Sequence, residues 1–222
     1  MESYRHHVIC IGCNVYDDPH IPNLNWAEAD ALALAEAWHQ YENAVVSARH
    51  VLTGGRFLRS TRSNVLARLD SMRKTLTDYD VLWFSFSGHA AVTNDMHRLI
   101  LADTQLSRHE GSYGLMEQTS LDLPLIERYL RHTKAGYIAM ILDCCVDVIP
   151  DSERSLRVYK PNLERGQDLA RIGILWSQRA KEAQELRNGA LTRAWLDTLL
   201  APERLEEPKH QTLSVYFQSL RA

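Results

Sequence analysis

The chain has 222 residues, 45% hydrophobic and 24% charged, with a formal net charge of -3. That length supports one compact domain with a substantial core, or at most two small ones. The 25 Lys and Arg are scattered without a basic block, which argues against a nucleic-acid partner, and no apolar run approaches a membrane span.

The opening residues, MESYRHHVICIGC, lack the long apolar stretch and small-residue cleavage site of a signal peptide. A cytoplasmic location is the expectation, with the four cysteines reduced. HVICIG (7–12) reads as a buried first strand ending at Gly12. NWAEADALALAEAWHQ (25–40) reads as a helix with Asn25 as cap and Glu28 in the first turn, where the helix dipole favours an acid. ARHVLT (48–53) is a second strand, stopped by Gly54 and Gly55. In the next helix Val65, Leu66, Leu69, Met72 and Leu76 share one face, with Ser60 or Thr61 as cap. DVLWFSFSG (80–88) is apolar at nearly every position, which suits a strand buried on both faces.

RLILAD (98–103) is a further strand. LDLPLIERYLRHT (121–133) is a helix with Pro124 in its first turn. YIAMILD (137–143) and RIGILWS (171–177) are strands, and 190–200 and 212–220 are closing helices. Strands alternating with helices give an α/β layered domain with a mainly parallel sheet. Ligand sites in such sheets lie beyond the carboxyl ends of the strands. The segment 146–169, with two prolines and little periodicity, is a long loop of the kind that is functional or disordered.

Two strand ends carry the chemistry. WFSFSGHA delivers His89 and AMILDCCVDV delivers Cys144 and Cys145, on one rim if the strands are parallel. Imidazole and thiol brought together there can share a proton and make a thiolate nucleophile. The blander reading of a buried cysteine is inert packing. Cys10 and Cys13 have a C-x-x-C spacing but lie along a strand, so core packing is expected over zinc or redox chemistry. The scattered histidines, His6, His7, His20, His97, His109, His132 and His210, are expected to be exposed. Asp17, Asp18 and Asp147 are turn residues or calcium ligands.

These motifs, in this order, resemble the caspase and metacaspase superfamily of cysteine peptidases. FSFSGHA is similar to its Ser-Gly-His-Gly segment and ILDCCVDV to its Asp-x-Cys segment. VICIGCNVYDDPHIPNLNWAEADALALAEAW resembles its opening strand, loop and helix start. Gly189-Ala190-Leu191-Thr192 stands where the small-subunit pattern has Gly-x-Phe-Thr. The resemblance spans about residues 6–220.

It implies a three-layer sandwich, with helices on both faces of a mainly parallel sheet of about six strands. It implies one domain over 1–222: a large-subunit-like part (1–148), a linker (149–170) and a small-subunit-like part (171–222). By the same register Cys145 is the nucleophile and Cys144 the variable residue, packed on the opposite face. His89 is the partner base and acid. The backbone N–H groups of Ala90 and Cys145 form the oxyanion hole. Asp30, Ser87 and Asp143 form an S1 pocket, whose two carboxylates attract a basic P1 residue and repel an acidic one.

The implied activity is therefore endopeptidase cleavage of protein substrates after Arg or Lys, with no cofactor apart from the calcium that some metacaspases need. Arg154, Arg157, Lys160 and Arg165 in the linker are candidate processing sites of a zymogen, cut by the chain itself or by an activating protease. A regulatory partner is a further expectation, and neither nucleic acid nor membrane is one. Small stand-alone members of this kind look bacterial, with roles in cell death or anti-phage defence by analogy. Two departures stand out. SGHA replaces Ser-Gly-His-Gly, which strains Ala90 if the site needs a positive φ. CVDV replaces Cys-His-Ser-Gly. They leave open the alternative of a catalytically inactive caspase-like module that binds partners.

Overall fold

The structure, a computed structural model, describes residues 5–40, 45–53, 57–109, 112–146, 172–177 and 190–199. Its strands are β1 (Arg5–Gly12), β2 (Val45–Leu52), β3 (Asp80–Thr93), β4 (Met96–Leu99), β5 (Leu106–His109), β6 (Ser112–Leu115), β7 (Leu121–Asp122), β8 (Tyr137–Val146) and β9 (Ile172–Ser177). Its helices are α1 (Ala27–Gln40), α2 (Arg62–Thr75), α3 (Leu123–Arg131) and α4 (Ala190–Leu199). The expected linker (149–170) and the final helix over 212–220 lie outside the described residues.

Seven strands form one mixed sheet, and β5 and β6 form a separate hairpin. The strands β2, β1, β3, β8 and β9 pair in that order, all parallel. Beyond these five strands the sheet is mixed. β4 pairs antiparallel with the far end of β3, and β7 pairs antiparallel with β4. The cause is local. Asn94 and Asp95, both at positive φ, make a tight turn that folds the chain back on β3.

Alternation along β3 sorts the core into two layers. Leu82, Phe84 and Phe86 pack with Val65, Leu69 and Met72 of α2 and Leu123, Ile126 and Leu130 of α3. Val81 and Trp83 pack on the other face with Ala31, Leu34 and Trp38 of α1 and Trp195 of α4. Helices therefore cover both faces. Each fully buried Leu, Ile or Phe contributes roughly 1.5–3 kcal/mol, so this double-sided burial dominates the stability.

Local chemistry sets the helix starts. Thr61 caps α2, its hydroxyl accepting the Asn64 N–H. Asp122 caps α3 by accepting the Leu125 N–H. The start of α1 is bound from outside the helix: Asn14, just past β1, accepts the Glu28 N–H at 3.1 Å. Gly12 makes this possible, because a Cβ there would lie 2.3 Å from the Ala27 carbonyl oxygen. Only a glycine lets the end of β1 come that close to α1.

Candidate active site

The two strands that carry the candidate dyad run past it. β3 continues through His89 to Thr93 and β8 continues through Cys145 to Val146, so neither residue lies beyond a strand end as expected. The ladder between them pairs Ser87 with Asp143, Gly88 with Cys144, His89 with Cys145 and Ala90 with Val146. His89 and Cys145 thus occupy directly opposed positions on adjacent parallel strands. Cys144 is buried in the α2/α3 layer at 4% exposure, on the face its register predicts.

His89 is 8% exposed and is held by the loop between β1 and α1. Its Nε2 lies 2.9 Å from the Pro22 carbonyl oxygen. A carbonyl only accepts, so Nε2 carries the proton and Nδ1 is the unprotonated ring nitrogen. The His89 backbone N–H donates to the Tyr16 hydroxyl at 3.2 Å, and the Tyr16 ring stacks on the imidazole with centroids 5.2 Å apart. A Cβ at Gly88 would sit 2.8 Å from the Phe86 ring and 3.4 Å from the Tyr16 hydroxyl, so the glycine leaves room for Phe86 beside this loop.

The three candidate pocket residues share the α1/α4 face. Ser87 donates its hydroxyl to the Asp30 carboxylate at 2.9 Å, and both are buried. Asp30 lies in the first turn of α1, so its carboxylate also sits in the positive end of the helix dipole. Asp143 is half-buried and points to the start of α4. Its Oδ2 accepts from the Thr192 N–H at 2.9 Å and from the Thr192 hydroxyl at 2.8 Å. Ala90 lies inside β3, paired with Leu99 and Val146. It is absent from the positive-φ residues, so the alanine in SGHA carries no left-handed strain.

The loop from Asn14 to Asn25 is built from its own polar groups. Asp18, 5% exposed, accepts the backbone N–H groups of His20 and Leu106 and the His20 ring. Burial pushes its carboxyl up, but these donors outweigh burial and hold it below the ordinary carboxylate range. Asp17 pairs with Arg59. Both aspartates are thus engaged in holding the loop. Among the described residues no group of three or more His, Cys, Asp or Glu is placed to hold a metal ion. Asp147 lies outside them, as do the four candidate processing residues, Arg154, Arg157, Lys160 and Arg165.

Cys10 and Cys13 are thiols outside any disulfide, each 1% exposed. Burial pushes the Cys13 thiol up to about 11, the state of an inert packing residue rather than a nucleophile. Among the described histidines the expectation of exposure fails for three: His97 is 5% exposed, and His6 and His7 are half-buried, while His210 and the His109 side chain lie outside the described residues. Tyr16 and Pro22 touch the candidate site although the sequence pattern does not single them out; Thr192 is marked there only as the last residue of the 189–192 segment, with no sign of its bond to Asp143. Pro22 works through its carbonyl, which any residue supplies, so no side-chain signal exists to find it. Tyr16 carries only the weak signal of an aromatic in a polar loop.

Neither a family model nor a curated protein matches this chain. Among solved structures it is similar to protein GSU0716 from Geobacter sulfurreducens, at 18% identity and a TM-score of 0.49. That likeness covers 64% of this chain and 50% of the other. No helix among the described residues is long and apolar enough to cross a membrane.

Proposed function

We propose that this chain is a caspase-like cysteine endopeptidase of metacaspase type, cleaving proteins after Arg or Lys. The observation that carries the reading is the in-register pairing of His89 with Cys145, together with a buried His89 whose Nε2–H is fixed on the Pro22 carbonyl. A base needs one nitrogen oriented, as the Pro22 carbonyl does at Nε2, and Nδ1 is then the nitrogen that takes the proton in this reading.

In this mechanism His89 Nδ1 accepts the proton of the Cys145 thiol. The thiolate attacks the scissile carbonyl carbon, and backbone N–H groups of Ala90 and Cys145 stabilise the oxyanion. The imidazolium returns the proton to the leaving amine as the C–N bond breaks, giving a thioester. Water, deprotonated by His89, then attacks the thioester, releasing the acid and restoring the thiol. Asp30 and Asp143, two carboxylates on the same face with Ser87, favour a cationic P1 side chain. The guanidinium fork of Arg suits them better than the point charge of Lys. Cleavage in the segment holding Arg154, Arg157, Lys160 and Arg165 would convert a zymogen to the active form. A protein with all four changed to Ala, intact by mass spectrometry and fully active, sinks that part.

The discriminating test is a set of fluorogenic peptides ending in Arg, Lys or Asp, each with and without calcium. The expected result is turnover of Arg and Lys peptides that is lost in His89→Ala and Cys145→Ala. Turnover of Asp peptides alone overturns the specificity. No turnover of any peptide, before or after proteolysis of the linker, favours the non-catalytic binding module.

A further inference from the structure

β3 changes neighbours at His89. Up to Ser87 it pairs with β1, whose last partner is Gly12; from Ala90 onward it pairs with β4. Between the two ladders the His89 N–H is taken by a side chain, the Tyr16 hydroxyl, at 3.2 Å. The same hydroxyl donates to the Cys13 carbonyl at 3.0 Å, so it bridges the two strand ends. The Tyr16 ring covers the imidazole with an interplanar angle of 26°. Tyr16 is 6% exposed, and burial raises its pKa far enough that it stays a phenol able to donate and accept at once.

The loop fixes Tyr16 in turn. Its backbone N–H donates to the Asn23 side-chain oxygen at 3.2 Å, and the next N–H, of Asp17, donates to Ala102 at 2.8 Å. Six residues further on, the same loop supplies the Pro22 carbonyl that receives His89 Nε2–H. One loop therefore holds the histidine at three points: backbone, ring face and Nε2.

We propose that Tyr16 is a positioning residue for His89. Its ring sets the plane of the imidazole so that Nε2–H stays on the Pro22 carbonyl, and its hydroxyl locks the backbone where the strand ladder is interrupted. This rests on the reading of His89 as the proton-transfer group. Tyr16 acts through His89, so its loss lowers kcat and leaves KM for a peptide ending in Arg nearly unchanged.

The test compares wild type, Tyr16→Phe and Tyr16→Leu by steady-state kinetics, by 15N NMR of the His89 ring, and by hydrogen exchange of the His89 amide. Tyr16→Leu is expected to lose about 10- to 100-fold in kcat, the scale of a misplaced catalytic group, with a mixed His89 tautomer. Tyr16→Phe keeps the ring, and is expected to keep the Nε2–H tautomer and most of kcat while the His89 amide exchanges faster. A folded Tyr16→Leu with wild-type kcat and tautomer overturns the proposal. Should Tyr16→Leu fail to fold, Tyr16→Phe decides: unchanged amide exchange, or a tautomer lost with the ring present, overturns it. If wild type and Cys145→Ala alike cleave nothing, the peptidase reading falls. The NMR comparison then still judges Tyr16.

Discussion

Asp143 and Thr192, 49 positions apart, are joined by two hydrogen bonds from the threonine backbone N–H and hydroxyl to one carboxylate oxygen. The bonds tie β8, two residues before Cys145, to the first turn of α4. The aspartate that the resemblance proposes for substrate binding is seen to anchor α4 to the sheet. The two roles separate by mutation. Thr192 is 1% exposed. Thr192→Val removes one donor to a charged acceptor and should cost about 1–2 kcal/mol in urea unfolding, while cleavage after Arg changes little. Asp143→Ala strands both buried donors and should cost more, with Arg cleavage impaired as well. Equal loss of Arg cleavage in the two variants would assign Asp143 to anchoring alone.

The doubled cysteine makes a sharp contrast. Cys144 packs in the α2/α3 layer, so Cys144→Ala should lower stability by about 1 kcal/mol and leave turnover within a few-fold. Cys145→Ala should abolish turnover without lowering the melting temperature by more than a few degrees. The reverse pattern in peptide kinetics means the register of the nucleophile is wrong.

Ser87 and Asp30 form a buried hydrogen-bonded pair. On the proposed reading, Asp30→Asn removes the charge that a cationic P1 group would meet. It should lower kcat/KM for Arg peptides by roughly 30-fold or more, since a desolvated charge contact contributes about 2 kcal/mol or more. Ser87→Ala should cost less, because the carboxylate survives. Unaltered Arg selectivity in Asp30→Asn removes Asp30 from the pocket.

Acid should unfold the protein in two stages. His6 accepts the Trp83 indole N–H at 3.0 Å on Nδ1, stacks against the Trp83 ring and meets the Trp38 ring at a tilt. Burial first, then the charge of His7, lower its pKa to about 4 from 6.5. Between those values the unfolded chain binds the extra proton, so stability falls as pH drops from about 6.5 toward 4, by on the order of 3 kcal/mol. A second loss follows below the ordinary aspartate range of 3.8. Asp80 is pushed up by burial but held lower overall by donors from Thr77, His7 and Arg5. Its contribution is complete above 3.8 and fades as pH falls through the lower folded value. His6→Gln keeps an acceptor for Trp83 and should flatten the first stage in denaturation curves at pH 4–7. An unchanged slope would mean His6 is not the group responsible.

Much of the fold around the site is legible in the amino-acid sequence. The fully apolar run from Val81 to Phe86 marks a strand buried on both faces, whatever its neighbours. The spacing of Val65, Leu69 and Met72 marks a helix face. The hairpin of β5 and β6 leaves no such mark, because its strands span only four residues each, too few for a period to stand out. The extensions of β3 and β8 are hidden for a related reason. Gly88 and the polar His89 read as a stop, but β4 folds back to pair with β3 and so continues the ladder.

By itself the sequence determined the period of each element and the residue types at the two strand segments, because burial and backbone preference act locally. Only the tertiary structure decided which residues meet. Register brings His89 opposite Cys145 and Ser87 opposite Asp143, since parallel pairing is set by packing against helices far away in the chain. The Pro22 carbonyl and the Tyr16 hydroxyl reach His89 because the loop between β1 and α1 folds back over that residue. Backbone groups carry no residue signature, so their part in the site exists only once the chain has folded.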